Sequence, residues 1–236
     1  MTSTARPENT TADAEQPRRG RPFRSVWFHV ALALVLTLLV VAFIGQPSSS
    51  SMSPTLQPGD RLIVNRLAYI AADPAPGDVV VFRPDEAWGD RPAPSINWIS
   101  AGLGWVGETT GIRPYVLVKR VIAGPGQTVE CCDAQGAVLV DGKALDEPYV
   151  VDDLPFVAGS LDCDSTPISV RCFPAVTVPE IAYLVLGDNR ANSADSAFPC
   201  RGVPDVDAGC FRWMTRDDVF GEAGPILWPV SRWGGP

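Results

Sequence analysis

Histidine is almost absent from this chain. Its only one, His29, lies inside a long apolar run. A serine nucleophile further along must therefore find a base other than imidazole, which removes the commonest hydrolase triad. Lysine is nearly as scarce, with Lys119 and Lys143 alone among 236 residues. There is no C-x-x-C pair, which argues against zinc and thioredoxin-type redox chemistry. Basic clusters are also missing beyond the apolar run. Residues 1–44 carry Arg6, Arg18, Arg19, Arg21 and Arg24 against Glu8, Asp13 and Glu15, a net of +2, so a chain total of −8 leaves −10 for the rest. An acidic body without basic patches argues against nucleic acid as a partner. No internal repeat stands out, and no long 3.6-residue periodicity appears outside the apolar run.

The charge-free run extends from Val26 to Ile44. As a helix it would measure roughly 28 Å, which suits a hydrocarbon core of ~30 Å. Arginines crowd its N-terminal side, and the next follows only at Arg61. The positive-inside rule then predicts a single-pass membrane protein with its N-terminus in the cytoplasm and the bulk of the chain outside. A cleavable secretory signal is the competing reading, but the preceding tail is long and no A-x-A site follows. Residues 1–25, polar with Pro7, Pro17 and Pro22, read as a disordered cytoplasmic tail. His29 is expected to be an interfacial or helix-packed side chain without a function. All six cysteines lie beyond the run, as an oxidising exterior allows. Cys163 with Cys172 and Cys200 with Cys210 each bracket a short polar loop and are expected to pair. Neighbouring Cys131 and Cys132 are not expected to bond to each other.

After the run, short apolar stretches alternate with turn residues. They include Leu62-Ile63-Val64, Val79-Val80-Val81-Phe82, Val116 to Ile122, Val138-Leu139-Val140, Ala175 to Val178, Tyr183 to Leu186 and Ile226-Leu227-Trp228. Strong β-formers between Gly, Pro and Asp turns predict a mainly β domain of short, coiled antiparallel sheets. Residues 85–114 leave that pattern with Trp88, Trp98, Ile99, Leu103 and Trp105 among Gly and Pro. They read either as a loop packed on the body or as an apolar rim that dips into a lipid interface.

Three segments carry chemistry. A serine hydroxyl is a poor nucleophile until a base takes its proton. A lysine can serve only when neutral, and burial among apolar groups favours the neutral amine. Lys119 lies in Tyr115-Val116-Leu117-Val118-Lys119-Arg120-Val121-Ile122. On a strand, Leu117, Lys119 and Val121 share one face and Arg120 points to the other. Lys119 could equally be a rim residue whose stem covers apolar surface while its head reaches water. Lys143, in Asp141-Gly142-Lys143, reads as part of an exposed hairpin turn. Ser48 to Ser51 alone would read as a linker, but Met52-Ser53-Pro54-Thr55-Leu56 follows at once. Gly187-Asp188-Asn189-Arg190-Ala191-Asn192-Ser193-Ala194-Asp195-Ser196 packs turn formers, hydroxyls and acids after a strand, and by itself reads as an Asx-type turn.

Together these segments resemble bacterial type I signal peptidase, a membrane-anchored Ser-Lys protease family. The resemblance covers most of residues 26–233. Ser51-Met52-Ser53-Pro54-Thr55-Leu56 with Pro58-Gly59-Asp60 is similar to the nucleophile box, and Gly77-Asp78-Val79-Val80-Val81-Phe82 to the strand box after it. Lys119-Arg120-Val121-Ile122 with Pro125-Gly126 is similar to the general-base box, and Gly187 to Ser196 to the last. Four boxes in the family's order after one membrane helix are far more specific than any one of them.

The resemblance implies a signal-peptidase-like fold: a disordered tail at 1–25, a transmembrane helix at 26–44 and an extracytoplasmic peptidase domain at 45–236. Excursions from its catalytic core would fall at about 85–114 and 130–180. It implies Ser51 as nucleophile and Lys119 as general base. Ser193 would orient the Lys119 amine. The Ser51 N–H and the Ser49 hydroxyl would form an oxyanion hole, and Met52 would wall a substrate pocket. Asp188 and Asp195 would hold the local turn. No metal or organic cofactor is implied. Four positions depart from the family pattern. Ser48 stands where a proline is usual, the link from membrane to nucleophile is short, Ala191 replaces an acid, and Ala197 stands where some members have an arginine, a role that Arg201 is expected to take.

The expected activity is removal of signal peptides from exported preproteins, after small residues at −3 and −1, by a cell-membrane enzyme that is favoured to be monomeric. Its expected partners are preproteins and membrane lipid. A Ser-Lys self-cleaving repressor would need a DNA-binding region in place of the membrane helix. A membrane-tethered β scaffold without activity is the rival of a different class, and cleavage of a small preprotein separates the two.

Overall fold

The computed structural model describes residues 26–34, 44–45, 47–89, 115–204 and 206–236. The chain divides into two units, Met1–Leu39 and Val40–Pro236. In the first, residues 26–34 are helical. The tail 1–25 and most of the remaining expected span, 35–43, lie outside the described residues. Among the described residues no helix is long and apolar enough to cross a membrane.

The described residues of the second unit form antiparallel strands joined by turns and single 3₁₀ turns. In chain order the strands are β1 (Ile44–Gly45), β2 (Arg61–Asn65), β3 (Val79–Phe82), β4 (Leu117–Ala123), β5 (Thr128–Cys131) and β6 (Val138–Val140). They continue with β7 (Lys143–Ala144), β8 (Phe173–Thr177), β9 (Ala182–Leu186), β10 (Met214–Thr215) and β11 (Val219–Trp228). A seven-stranded sheet has the order β1-β2-β11-β3-β4-β9-β10, and a four-stranded sheet the order β7-β6-β5-β8.

The unbroken apolar runs of β3 and β9 have a simple cause: both faces of the large sheet are covered there. Val79 and Val81 pack with Met52, Leu56, Leu62 and Ile226. Val80 and Phe82 turn the other way, toward Tyr69, Trp88, Val121 and Met214. Leu184 and Leu186 of β9 join Val129, Val138 and Phe173 in a third cluster, which ties the small sheet to the large one. β2, with Leu62 and Val64 buried and its neighbours exposed, shows the alternation of a one-sided strand. Asp141 and Gly142 both adopt positive φ, at 52° and 72°, in the two-residue turn between Val140 and Lys143. That geometry matches the twist of a tight hairpin, and Lys143 is exposed as expected.

Two expectations need correction. The final strand begins at Val219, well before Ile226, because Gly221, Gly224 and Pro225 disguise it. A Cβ on Gly221 would lie 2.7 Å from the Asn65 carbonyl oxygen, so the close approach of β2 requires glycine there. Cys131 and Cys132 do form a disulfide. β5 ends at Cys131, where the chain leaves the sheet, and neighbouring side chains need not point to opposite faces. Cys163–Cys172 and Cys200–Cys210 pair as expected. Of the two readings left open for residues 85–114, Trp88 takes the first and packs on the body. It is buried against Phe82 at 4.9 Å between ring centroids, and its indole N–H donates to the Trp213 carbonyl at 3.2 Å. Residues 90–114 of that segment lie outside the described residues.

Candidate active site

The Ser49–Leu56 segment turns sharply as it meets the large sheet. The Ser53 N–H donates to Ser50 O at 3.0 Å and the Leu56 N–H to Met52 O at 2.8 Å. Met52 and Leu56 anchor the turn by burying their side chains in the β2–β3–β11 core. Met52 is thus a core residue, only 2% exposed. Between these anchors Ser51 is held from the far side by Asn189, whose N–H donates to Ser51 O at 3.1 Å.

Lys119 lies on β4 between β3 and β9. Its register partner on β3 is Val80. On β9, Arg120 faces Leu186, which sets Lys119 beside Gly187, just past the strand end. The amine reaches Ser51, with Lys119 Nζ 2.7 Å from Ser51 Oγ. Lys119 is 3% exposed, which excludes the rim reading. Burial pushes its ammonium down to about 8, although the Asp195 and Asp188 carboxylates pull the other way. Compared with an ordinary lysine, that raises the neutral fraction at pH 7 roughly 300-fold.

The Ser49 hydroxyl lies 3.2 Å from Ser51 Oγ. Ser50 Oγ accepts from Asn192 Nδ2 at 2.8 Å, a second tie between the serine segment and the loop after β9. Ser193 is buried beside the pair, but its hydroxyl has no hydrogen-bond partner. The expected bond from Ser193 to the Lys119 amine is therefore not made in this geometry; the amine is engaged with Ser51.

Asp188 and Asp195 hold the turn through buried ion pairs. Arg120 Nε and Nη2 donate to the two Asp188 oxygens at 2.9 and 2.7 Å, and the Thr55 hydroxyl donates to Asp188 Oδ2 at 2.5 Å. Arg201 Nη2 donates to Asp195 Oδ1 at 3.2 Å, so Arg201 takes the place left by Ala197. Asp195 also accepts from the Gly187 N–H at 3.2 Å. Gly187 has no room for a side chain. A Cβ there would lie 2.3 Å from Ser193 Oγ and 2.5 Å from Ser51 O. Gly187→Ala is expected to cost about 1–3 kcal/mol by overpacking and to depress turnover more than substrate affinity. Thermal unfolding and steady-state kinetics check both.

The structure thus brings Ser49, Ser51, Lys119, Ser193, Asp188 and Asp195 into one site. Sequence reasoning gave no role to Arg120, Thr55, Gly187, Arg190 or Asn192. The signal for Arg120 was present, since a strand that points Lys119 one way points its neighbour the other. Among the described residues one group of potential metal ligands converges: the sulfurs of Cys132, Cys163 and Cys172. All three are in disulfides, which leaves no thiolate to bind an ion.

A family model described as "Signal peptidase, peptidase S26" matches residues 23–228. Signal peptidase I of Mycobacterium tuberculosis is 36% identical over 236 residues, covering 94% of this chain and 78% of the relative. A probable signal peptidase I of Mycobacterium leprae is 34% identical over 237 residues, covering 89% and 79%. Signal peptidase I of Leptolyngbya laminosa is 32% identical over 224 residues, covering 94% and 87%.

Proposed function

The chain belongs to the signal peptidase family, peptidase S26, and is a serine endopeptidase; we propose that it removes signal peptides from exported preproteins with Ser51 and Lys119 as its catalytic pair. The observation that carries this reading is a dry lysine amine 2.7 Å from a serine hydroxyl. In the reaction the neutral Lys119 amine accepts the Ser51 proton as Oγ attacks the scissile carbonyl carbon. The resulting oxyanion is met by the Ser51 N–H and the Ser49 hydroxyl, donors worth ~2.7–4 kcal/mol each in comparable sites. The Lys119 ammonium then protonates the leaving amine as the peptide bond breaks. Water, deprotonated by the same amine, hydrolyses the Ser51 ester and restores the enzyme. Ser193, adjacent to this pair, orients the amine once it turns from Ser51 to the leaving group.

The substrate lies extended along a sheet edge and carries small residues at −3 and −1. Residues 26–44 anchor the enzyme in the cell membrane with the N-terminus inside and the 45–236 domain outside. The anchor confines enzyme and preprotein to one plane, which raises the effective concentration of each for the other.

The acid side of the pH profile tests the base. Only the neutral amine can accept a proton, so kcat/KM should rise about tenfold per pH unit well below the Lys119 pKa and level off above about 8. A rate independent of pH down to 5 would exclude Lys119 as the base.

A further inference from the structure

We propose that Glu147 and Tyr149, in the segment that follows β7 of the small sheet, are positioning residues for the active site and act through Arg190 and Arg120. The inference rests on the reading of Ser51 and Lys119 as the catalytic pair. Glu147 and Tyr149 reach the two stretches of chain that hold that pair, one on each side.

Glu147 takes the Arg190 side. Arg190 Nη1 donates to Glu147 Oε2 at 3.0 Å, and Nη2 donates to Oε1. The remaining guanidinium nitrogen, Nε, donates to Gly187 O at 3.0 Å. The two side chains are only 2% and 10% exposed, so neither charge has water to replace its partner. Arg190 therefore fixes the 187–190 turn from within. That turn fits closely around Ser51, since Gly187 abuts Ser51 O and Ser193 Oγ, and the Asn189 N–H holds Ser51 O at 3.1 Å.

Tyr149 takes the Lys119 side. Its hydroxyl donates to Glu147 Oε1 at 3.1 Å, and the Arg120 guanidinium carbon lies 4.0 Å from its ring centroid. Arg120 adjoins Lys119 on β4 and grips Asp188 with two nitrogens. Burial and the Glu147 carboxylate push the Tyr149 phenol above its usual range, so it remains a donor. One short segment of the small sheet's connection thus braces both halves of a 2.7 Å contact. Displacements of about half an ångström matter at such a contact.

The test uses the full chain in liposomes with a small preprotein. Glu147→Gln is expected to lower kcat about 10–100-fold, the effect of slight misplacement, with KM within about twofold. The double variant Glu147→Gln/Arg190→Gln should be no slower than the slower single variant, because the two residues act as one unit. Hydrogen–deuterium exchange across residues 187–192 should quicken in Glu147→Gln, whatever the substrate. If Glu147→Gln folds poorly, Tyr149→Leu carries the same expectations for kcat and exchange, since it removes the ring from Arg120 at a half-buried position.

A wild-type kcat in a folded Glu147→Gln, losses that multiply in the double variant, or unchanged exchange at 187–192 would each overturn the proposal. Failure of the peptidase reading looks different. The wild-type chain would then leave the preprotein intact while exchange at 187–192 still quickened on loss of the Glu147 charge, and the brace would stand without that reaction.

Discussion

Ser51→Ala is expected to lower preprotein cleavage by about 10⁴–10⁶-fold, the scale seen when a serine hydrolase loses its nucleophile, while the fold stays intact. The substitution removes one oxygen from a 9% exposed position. It leaves the Ser51 carbonyl in place to accept from Asn189, and Met52 and Leu56 still anchor the turn. Ser49 is no substitute, because the hydroxyl that Lys119 reaches is that of Ser51 and not that of Ser49. The measurement pairs kcat/KM on a small preprotein with thermal unfolding. A folded variant that keeps a tenth of wild-type cleavage would remove Ser51 from the mechanism.

Lys119 variants should lose activity on the same scale but separate chemistry from stability. Lys119→Arg keeps a cation beside Ser51, yet a guanidinium does not give up its proton at working pH. It should be inactive at every pH, and measurable turnover would exclude the amine as base. Lys119→Met should be equally inactive and more stable than wild type. The reason is a buried charge. In the folded chain the ammonium is pushed down to about 8 from 10.5, so below about pH 8 a proton sits where it opposes folding. That opposition is of the order of 3 kcal/mol. It fades as pH rises from about 8 toward 10.5, where the unfolded chain still binds the proton and the folded chain does not. The stability advantage of Lys119→Met should therefore be largest at neutral pH and shrink across that window. Denaturant unfolding at pH 7 and pH 10 checks the sign, and an advantage that grows with pH would contradict it.

Much of the fold was legible because its signals are local. Val79 to Phe82 and Tyr183 to Leu186 are dense in β-formers and bounded by turn residues, and both are strands. The Asp141-Gly142 turn announced its hairpin. Where the local signal conflicted with a tertiary demand, reading failed. Gly221 looks like a strand breaker but is the residue that lets β11 approach β2. For Trp88 the sequence left packing and an exposed rim both open, and only its contacts with Phe82 and Trp213 decided between them. Cys131 and Cys132 are neighbours in the chain, and only the path of the backbone at the end of β5 brings their sulfurs together.

The active site divides in the same way. The scarcity of histidine, a single lysine in an apolar stretch, a serine beside Met52 and the order of the four boxes were set by the sequence alone, since residue identity and neighbourhood along the chain need no folding. Whether Lys119 is dry, and whether it touches Ser51, only the tertiary structure decided. The two residues stand 68 positions apart, and both the distance between them and the exclusion of water from the amine are made by packing from strands elsewhere in the chain. Glu147 had no signal at all in the sequence, because a carboxylate after an exposed hairpin becomes a partner of Arg190 only when the small sheet folds back onto the large one.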